Sequence, residues 1–433
     1  MSRRGSSPAP TMLVDRLKFK TSTDIRMRGA PNQSQDWPRS CASMINGLQS
    51  KHTQLGMRPC TVWRRMAPHV LGMCSGGDDH LPFGKLMSPA KPLPQQDLDF
   101  ALEQTAPLWE EVRGQQIFLT GGTGFFGCWL AESFCHVNKT LNLGARMVLL
   151  TRNPAAFRAK CPHLTANTSI ALHEGDVRSF AFPDGEFGYV IHAATDTSAR
   201  GLAEVPLHTF ATIVGGTERV LQFAAVSGVR KFLLTSSGAV YGKQPSDVTH
   251  VSESYAGAPD PLDPANVYAE GKRTAELLCA LYQKTGRLDC KIARCWAFCG
   301  PHLPLDRHFA IGNFIGDVLA GRPIQIQGDG TPRRSYLYAA DLAVWLCTIL
   351  FRAPALMPFN VGSAHDVSIL ELAQTVANTL HPQTEIRVAR QAIPGDIPVR
   401  YVPCVDRARE VLGLRPAIGL EECVRRTAQW HKK

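Results

Sequence analysis

The sequence predicts an α/β protein with a doubly wound parallel sheet of the Rossmann type and a smaller α/β substrate-binding part towards the C-terminus. Two observations carry this. The stretch Gln116-Ile-Phe-Leu-Thr-Gly-Gly-Thr-Gly-Phe-Phe-Gly127 is an apolar strand running into a Gly-x-x-Gly-x-x-Gly turn. Farther along, apolar runs at 147–151, 188–192, 231–235 and 290–294 alternate with helical segments, the pattern of a buried parallel sheet wrapped by helices.

The elements follow in order. Residues 1–96 form a basic, Pro-rich segment that cannot sustain a core and is expected to be disordered. Residues 1–95 hold 14 Lys and Arg against 5 Asp and Glu, so this segment supplies nine of the ten net positive charges. The rest of the chain is nearly neutral, which gives no basic face for nucleic acid. No stretch has the length or apolarity of a membrane span, and a cytoplasmic address is expected. The 13 cysteines show no paired metal spacing, and Cys128, Cys279 and Cys347 fall inside apolar helical patterns, so buried thiols are expected and no metal site. From Leu98 to Trp109 a short amphipathic helix leads to the first strand. Residues 97–296 read as a dinucleotide-binding domain. In 297–433 the alternation weakens into strands at 323–327 and 357–361 and helices near 309–320, 339–352, 368–380 and 418–430, a smaller domain interleaved with the first.

In the glycine turn, Gly121 permits a tight bend, Gly124 lets backbone N–H groups approach a pyrophosphate, and Gly127 lets the helix pack close to its strand. Tyr268 and Lys272 are four apart in a helix-forming stretch and share a face. A lysine ammonium beside a phenol lowers its pKa, giving a tyrosine able to take a proton from a hydroxyl while hydride leaves the same carbon. The strand Lys231-Phe-Leu-Leu-Thr-Ser-Ser237 ends in hydroxyl residues, at the end of an open sheet where ligands bind, and Ser237 is the expected partner of the reacting oxygen.

From about 115 to 431 the chain resembles the extended short-chain dehydrogenase/reductase family, the nucleotide-sugar epimerases, dehydratases and decarboxylases. The matches run in family order: the glycine turn, Gly175-Asp176-Val177, His192-Ala-Ala-Thr195, Ser237, Tyr268 with Lys272, Gly300-Pro301, Asn313-Phe-Ile, Gly328-Asp-Gly330 with Arg334, Tyr338 and Asp341, and Asn360-Val-Gly362. The resemblance implies an enzyme that holds NAD or NADP and modifies a nucleotide sugar through a transient keto intermediate. It implies that Ser237, Tyr268 and Lys272 are catalytic. It places Gly121, Thr123, Gly124, Phe125, Phe126, Gly127, Asp176, Val177, Ala193, Ala194 and Thr195 at the cofactor, together with Tyr268 and Lys272. Asn313 and Arg334, with Arg400 as a second arginine, are implied at the substrate diphosphate. A homodimer through the Tyr268 helix is compatible with Leu277, Leu278 and Leu281.

Departures from the family pattern narrow the reaction. Water-removing members carry an Asp-Glu pair after the catalytic hydroxyl residue, and this chain has Gly238 and Ala239 there. Neither can move a proton. Decarboxylating members usually keep the glutamate, so an epimerase is the simplest reading, with a dehydratase, a decarboxylase, an NADPH-dependent keto-sugar reductase or a non-catalytic dinucleotide sensor as alternatives. The second strand ends in Thr151-Arg152 without the acid that binds a ribose 2′-hydroxyl, which tilts the expected cofactor slightly towards NADP.

Overall fold

The computed structural model describes residues 89–195, 205–286, 288–307 and 309–432. The reading of the basic tail lies outside the described residues, except for its last few positions. Those positions are folded: Leu93 is buried, its N–H donates to Glu132 Oε2 at 2.6 Å, and Pro92 O accepts from Trp430 Nε1 at 3.0 Å. Helix α1 (Gln95–Thr105) and a 3₁₀ turn (Ala106–Val112) follow, so the packed chain starts before residue 97.

β1 (Gln116–Thr120) passes through the glycine turn into α2 (Phe125–Thr140). β2 (Arg146–Thr151) is followed by α3 (Pro154–Lys160) and α4 (Pro162–Thr165), then β3 (Ile170–Glu174), β4 (Tyr189–His192), α5 (Pro206–Val226), β5 (Lys231–Ser237), α6 (Val267–Lys284) and β6 (Asp289–Cys295). The second half contains β7 (Phe298–Cys299), α7 (Ala310–Leu319), β8 (Ile324–Ile326), β9 (Arg333–Ser335), β10 (Leu337–Tyr338), α8 (Ala339–Arg352) and β11 (Pro358–Val361). It ends with β12 (Asp366–Ser368), α9 (Ile369–Leu380), β13 (Ile386–Val388), β14 (Arg400–Tyr401), α10 (Asp406–Leu412) and α11 (Leu420–His431).

Seven strands form one parallel sheet in the order β3-β2-β1-β4-β5-β6-β11. The order reverses between β1 and β4, and the crevice at their carboxyl ends is where such sheets bind ligands. The sheet lies between helical layers. On one side Phe118, Phe180, Phe187 and Phe223 pack with ring centroids 4.7–5.9 Å apart, each fully buried ring contributing about 1.5–3 kcal/mol. The seventh strand comes from beyond residue 296, so the two parts read from the sequence share a sheet, and the described residues form one compact unit.

β3 was not anticipated, because Ile170-Ala-Leu-His-Glu174 is short and half polar; it pairs with β2 in full register, Met147 to Ile170 through Thr151 to Glu174. Tyr338 and Asp341, two of the family matches, serve as ties. Tyr338 Oη donates to Asp97 Oδ2 at 2.7 Å, and Asp341 accepts from the N–H groups of Ala417 and Ile418 at 3.1 and 3.2 Å. Arg426 closes the link by donating to Asp97, so α1 and α11 are fastened to one another.

Candidate active site

The glycine turn has the shape its spacing predicts. Gly121 has φ +71°, and a Cβ there would lie 2.5 Å from the Ala193 carbonyl, so only glycine lets the turn pass under the end of β4. A Cβ on Gly127 would meet Gly121 O at 2.3 Å, which is the close approach of α2 to its strand. At Gly124, the N-cap of α2, the nearest atom to a Cβ is 3.4 Å away, leaving backbone N–H groups accessible at a helix N-terminus. Lys160 Nζ donates to Thr123 O at 2.8 Å and steadies the turn from α3.

Beside this turn, β4 ends in a buried hydrogen-bond chain. Thr217 donates to Ile213 O at 2.7 Å and so accepts from His192 Nε2 at 3.0 Å. His192 Nδ1 then accepts from Thr120 Oγ1 at 2.7 Å, and Thr120 in turn accepts from Ala194 N at 3.2 Å. The imidazole is therefore the neutral Nε2–H tautomer. Burial pushes its pKa down to about 3, with the Lys272 charge adding to the effect. This chain holds Ala193 and Ala194 over the turn.

Lys272 is buried on α6, and its Nζ donates to Thr195 Oγ1 at 2.7 Å and to Thr235 O at 2.8 Å. Burial lowers its pKa to about 8. The ammonium lies 5.9 Å from the Tyr268 ring centroid. Tyr268 is pushed up to about 12, mainly by burial, against the downward effect of Ser237. In this geometry burial outweighs the lowering expected from Lys272.

Ser237, the last residue of β5, acts on both Tyr268 and Tyr401, lowering each phenol's pKa against the upward push of burial, and its Oγ accepts from Ala239 N at 3.1 Å. Sequence reasoning missed Tyr401 and the tryptophan beside it. Trp296 packs 4.4 Å from Tyr401 and 5.9 Å from Tyr241 between ring centroids. A Cβ on Gly238 would lie 2.6 Å from the Trp296 ring and 2.8 Å from Tyr401 Oη. The position where the water-removing members carry an acid is thus occupied from outside by two aromatic side chains. Asn360, fully buried, fixes the wall: its Oδ1 accepts from Tyr241 Oη at 2.9 Å and Trp296 Nε1 at 3.1 Å.

Residues 117–362, more than half of the chain, match the family model described as the NAD dependent epimerase/dehydratase family. The chain belongs to this family. It is 33% identical over 308 residues to UDP-glucuronic acid decarboxylase 5 of Arabidopsis thaliana, covering 71% of this chain and 86% of the relative. UDP-glucuronic acid decarboxylase 1 of the same plant is 30% identical over 308 residues, covering 71% of this chain and 67% of the relative. Among solved structures, UDP-glucuronic acid 4-epimerase from Bacillus cereus superposes with a TM-score of 0.60 at 21% identity, covering 73% of this chain and 98% of the other, a likeness of fold.

Within this epimerase/dehydratase family member the remaining expected residues are only partly gathered. Thr151 is buried at the end of β2, and Arg152 is exposed beside it. The Asp176 carboxyl is held below its ordinary value, first by the hydrogen bond from Arg178 and, more weakly, by the Arg152 charge. Val177 is buried and would be 2.9 Å from a Cβ on Gly216, so it packs against α5. Phe125 and Phe126 open α2 half-buried. Arg334 faces the catalytic end: its guanidinium lies 5.8 Å from the Tyr401 ring centroid, and burial lowers its pKa. Asn313 is half-buried in the first turn of α7, and no hydrogen bond joins it to Arg334 among the described residues. Arg400 is not brought to the site. It pairs with Arg333 across β14 and β9, on the strand face opposite Arg334, and both Arg333 and Arg400 donate to Asp366.

Proposed function

We propose that this chain oxidises one carbon of a nucleotide-linked sugar, lets the keto-sugar turn over, and reduces it again, acting as an epimerase. The observation that carries the reading is the Ser237–Tyr268 pair at the carboxyl end of β5, followed by Gly238 and Ala239 with Trp296 and Tyr401 filling the place of a second acid. Removing water requires an acid to protonate the leaving hydroxyl, and the residues after Ser237 carry none.

The cradle at Gly121, Gly124 and Gly127 suits a dinucleotide pyrophosphate, with Thr123, Phe125 and Phe126 around it. Asp176 and Val177 are assigned to the adenine end, and Ala193, Ala194 and Thr195 to the phosphates and ribose. NAD or NADP supplies a carbon that accepts a hydride and gives it back. Thr151 and exposed Arg152 support NADP(H) binding at least as well as NAD(H), since a guanidinium suits a 2′-phosphate. Tyr268 takes the proton from the sugar hydroxyl, Ser237 bonds the same oxygen, and Lys272 contributes the positive charge that favours the phenolate. Arg334 and Asn313 hold the diphosphate, and Arg400 joins them only by leaving Asp366.

A homodimer through α5 and α6 is part of this reading, supported by the exposed apolar residues Leu207, Phe210, Leu277 and Leu281. A cytoplasmic setting is supported by the ten described cysteines, all free thiols. No helix among the described residues is long and apolar enough to cross a membrane.

The test is to incubate the full chain with UDP-, dTDP-, GDP- and CDP-sugars and read products by mass and proton NMR. A product of unchanged mass and altered stereochemistry is expected. A second reading, decarboxylation, is favoured by the Arabidopsis relatives; loss of carbon dioxide from UDP-glucuronic acid would establish it in place of epimerisation. Loss of water would overturn both.

A further inference from the structure

Away from the Tyr268 pocket, a second cluster of reactive side chains joins three distant segments. Cys128 lies in the first turn of α2, directly after Gly127. Cys161 sits between α3 and α4, and His302 follows Gly300-Pro301 beyond β7. One ligand atom from each lies within 4.8 Å of the others, and all three are buried. The His302 side chain is only 2% exposed, and its backbone has φ +67°, a conformation that costs a non-glycine residue free energy. The fold holds this histidine against strain.

We propose that Cys128, Cys161 and His302 form a zinc site, with Glu132 orienting the histidine. Two thiolates and an imidazole are the donor set zinc prefers, and four-coordinate zinc places such donors about 3.5–4 Å apart, a small contraction from the arrangement seen. The histidine is already disposed for this. Its Nε2 bonds Glu132 Oε1 at 2.9 Å, which leaves Nδ1 for the metal. Carboxylate–histidine–zinc is the usual outer arrangement of such sites. Glu132, 4% exposed, is further braced by Leu93 N at 2.6 Å and lies 3.1 Å from His163 Nε2, so its charge has partners on three sides. Tetrahedral zinc leaves its fourth position for water.

The sequence carries the pattern in pieces: Cys128-x-x-x-Glu132 on one helical face, Cys161-x-His163, and His302 far downstream. None of these has the spacing of a paired-cysteine metal motif, which is why the cysteines read as buried thiols. The role assigned is structural. The metal fastens the helix that follows the glycine turn to the α3–α4 junction, where neighbouring Lys160 holds the Thr123 carbonyl, and to the loop beyond β7.

The full chain, purified without chelator under reducing conditions, is expected to carry about one zinc per chain by elemental analysis. Protein produced in cobalt-supplemented medium should show the near-ultraviolet thiolate-to-cobalt charge-transfer absorption of two sulfur ligands. Cys161→Ala and His302→Asn should each remove the metal, Asn being chosen because it tolerates the left-handed backbone. Glu132→Gln should weaken zinc affinity about 10- to 100-fold, and Cys404→Ala should change nothing. Circular dichroism checks that the variants fold. Metal-free wild type, no cobalt–thiolate absorption, or metal content unchanged in folded Cys161→Ala or His302→Asn would each overturn the site. The readouts need no substrate, so they stand apart from the proposed reaction.

Discussion

Lys272 Nζ donates to Thr195 Oγ1 at 2.7 Å, joining helix α6 to the end of β4 across 77 residues of sequence. The lysine thereby touches the segment assigned to the cofactor ribose while standing one turn below Tyr268. A change at Lys272 reaches both functions.

Tyr268→Phe should preserve fold and dinucleotide affinity while lowering turnover about 10²- to 10⁴-fold, because only the proton acceptor is lost. Lys272→Met should damage turnover and cofactor affinity together. Ser237→Ala should be the mildest of the three, at about 10²- to 10³-fold in rate, the worth of one well-placed hydrogen bond to the reacting oxygen. Steady-state kinetics with cofactor titration checks the ordering; near wild-type turnover in Tyr268→Phe would remove the proton-transfer assignment.

Gly238→Ala should destabilise the fold by about 1–3 kcal/mol, the usual cost of forcing a methyl into filled space, since its Cβ would sit 2.6 Å from the Trp296 ring. Urea unfolding measures it. Pairing the change with Trp296→Leu should cost less than the sum of the two single changes, because the ring that clashes is gone.

The strand geometry of this site was largely legible in the sequence, and its side walls were not. Apolar runs place β1, β2, β4, β5 and β6 within about two residues, and the glycine spacing yields both the positive φ at Gly121 and the tight contact at Gly127. These are local patterns. Trp296 and Tyr401 reach Gly238 from 58 and 163 positions away along the chain, and no local period marks a residue by whom it will meet. The direction of Arg400 was hidden for the same reason: its strand register with Arg333 and the carboxylate of Asp366 decide it.

Arg152→Asp should shift cofactor preference towards NAD(H) by tenfold or more, about 1.4 kcal/mol, because an acid there accepts from a ribose hydroxyl and repels a 2′-phosphate. Fluorescence titration of NADH and NADPH reads the shift. A wild-type preference for NADH of the same size would take Arg152 out of the 2′ position.

His192 gives a pH dependence with a definite sign. Its pKa falls from 6.5 to about 3 on folding, so between those values the unfolded chain binds a proton that the native chain does not. Stability from this residue is complete above pH 6.5 and is lost as pH falls towards 3, at up to about 1.4 kcal/mol per pH unit. His192→Asn should be less stable than wild type near neutrality and should show a shallower loss between about pH 6.5 and about pH 4.5 in urea titrations. Parallel curves for the two proteins would remove His192 as the source.

The strand that completes the main sheet, β11, is made of residues 358–361, although its neighbour β6 ends at Cys295. During synthesis the outer edge of β6 is therefore a row of unpaired peptide groups until more than sixty further residues have left the ribosome. The interval is filled by the segment that carries Arg334 and α8. A nascent chain stalled or truncated inside that interval exposes an open sheet edge, so the length of the intervening segment sets how long that edge is free to pair with other chains.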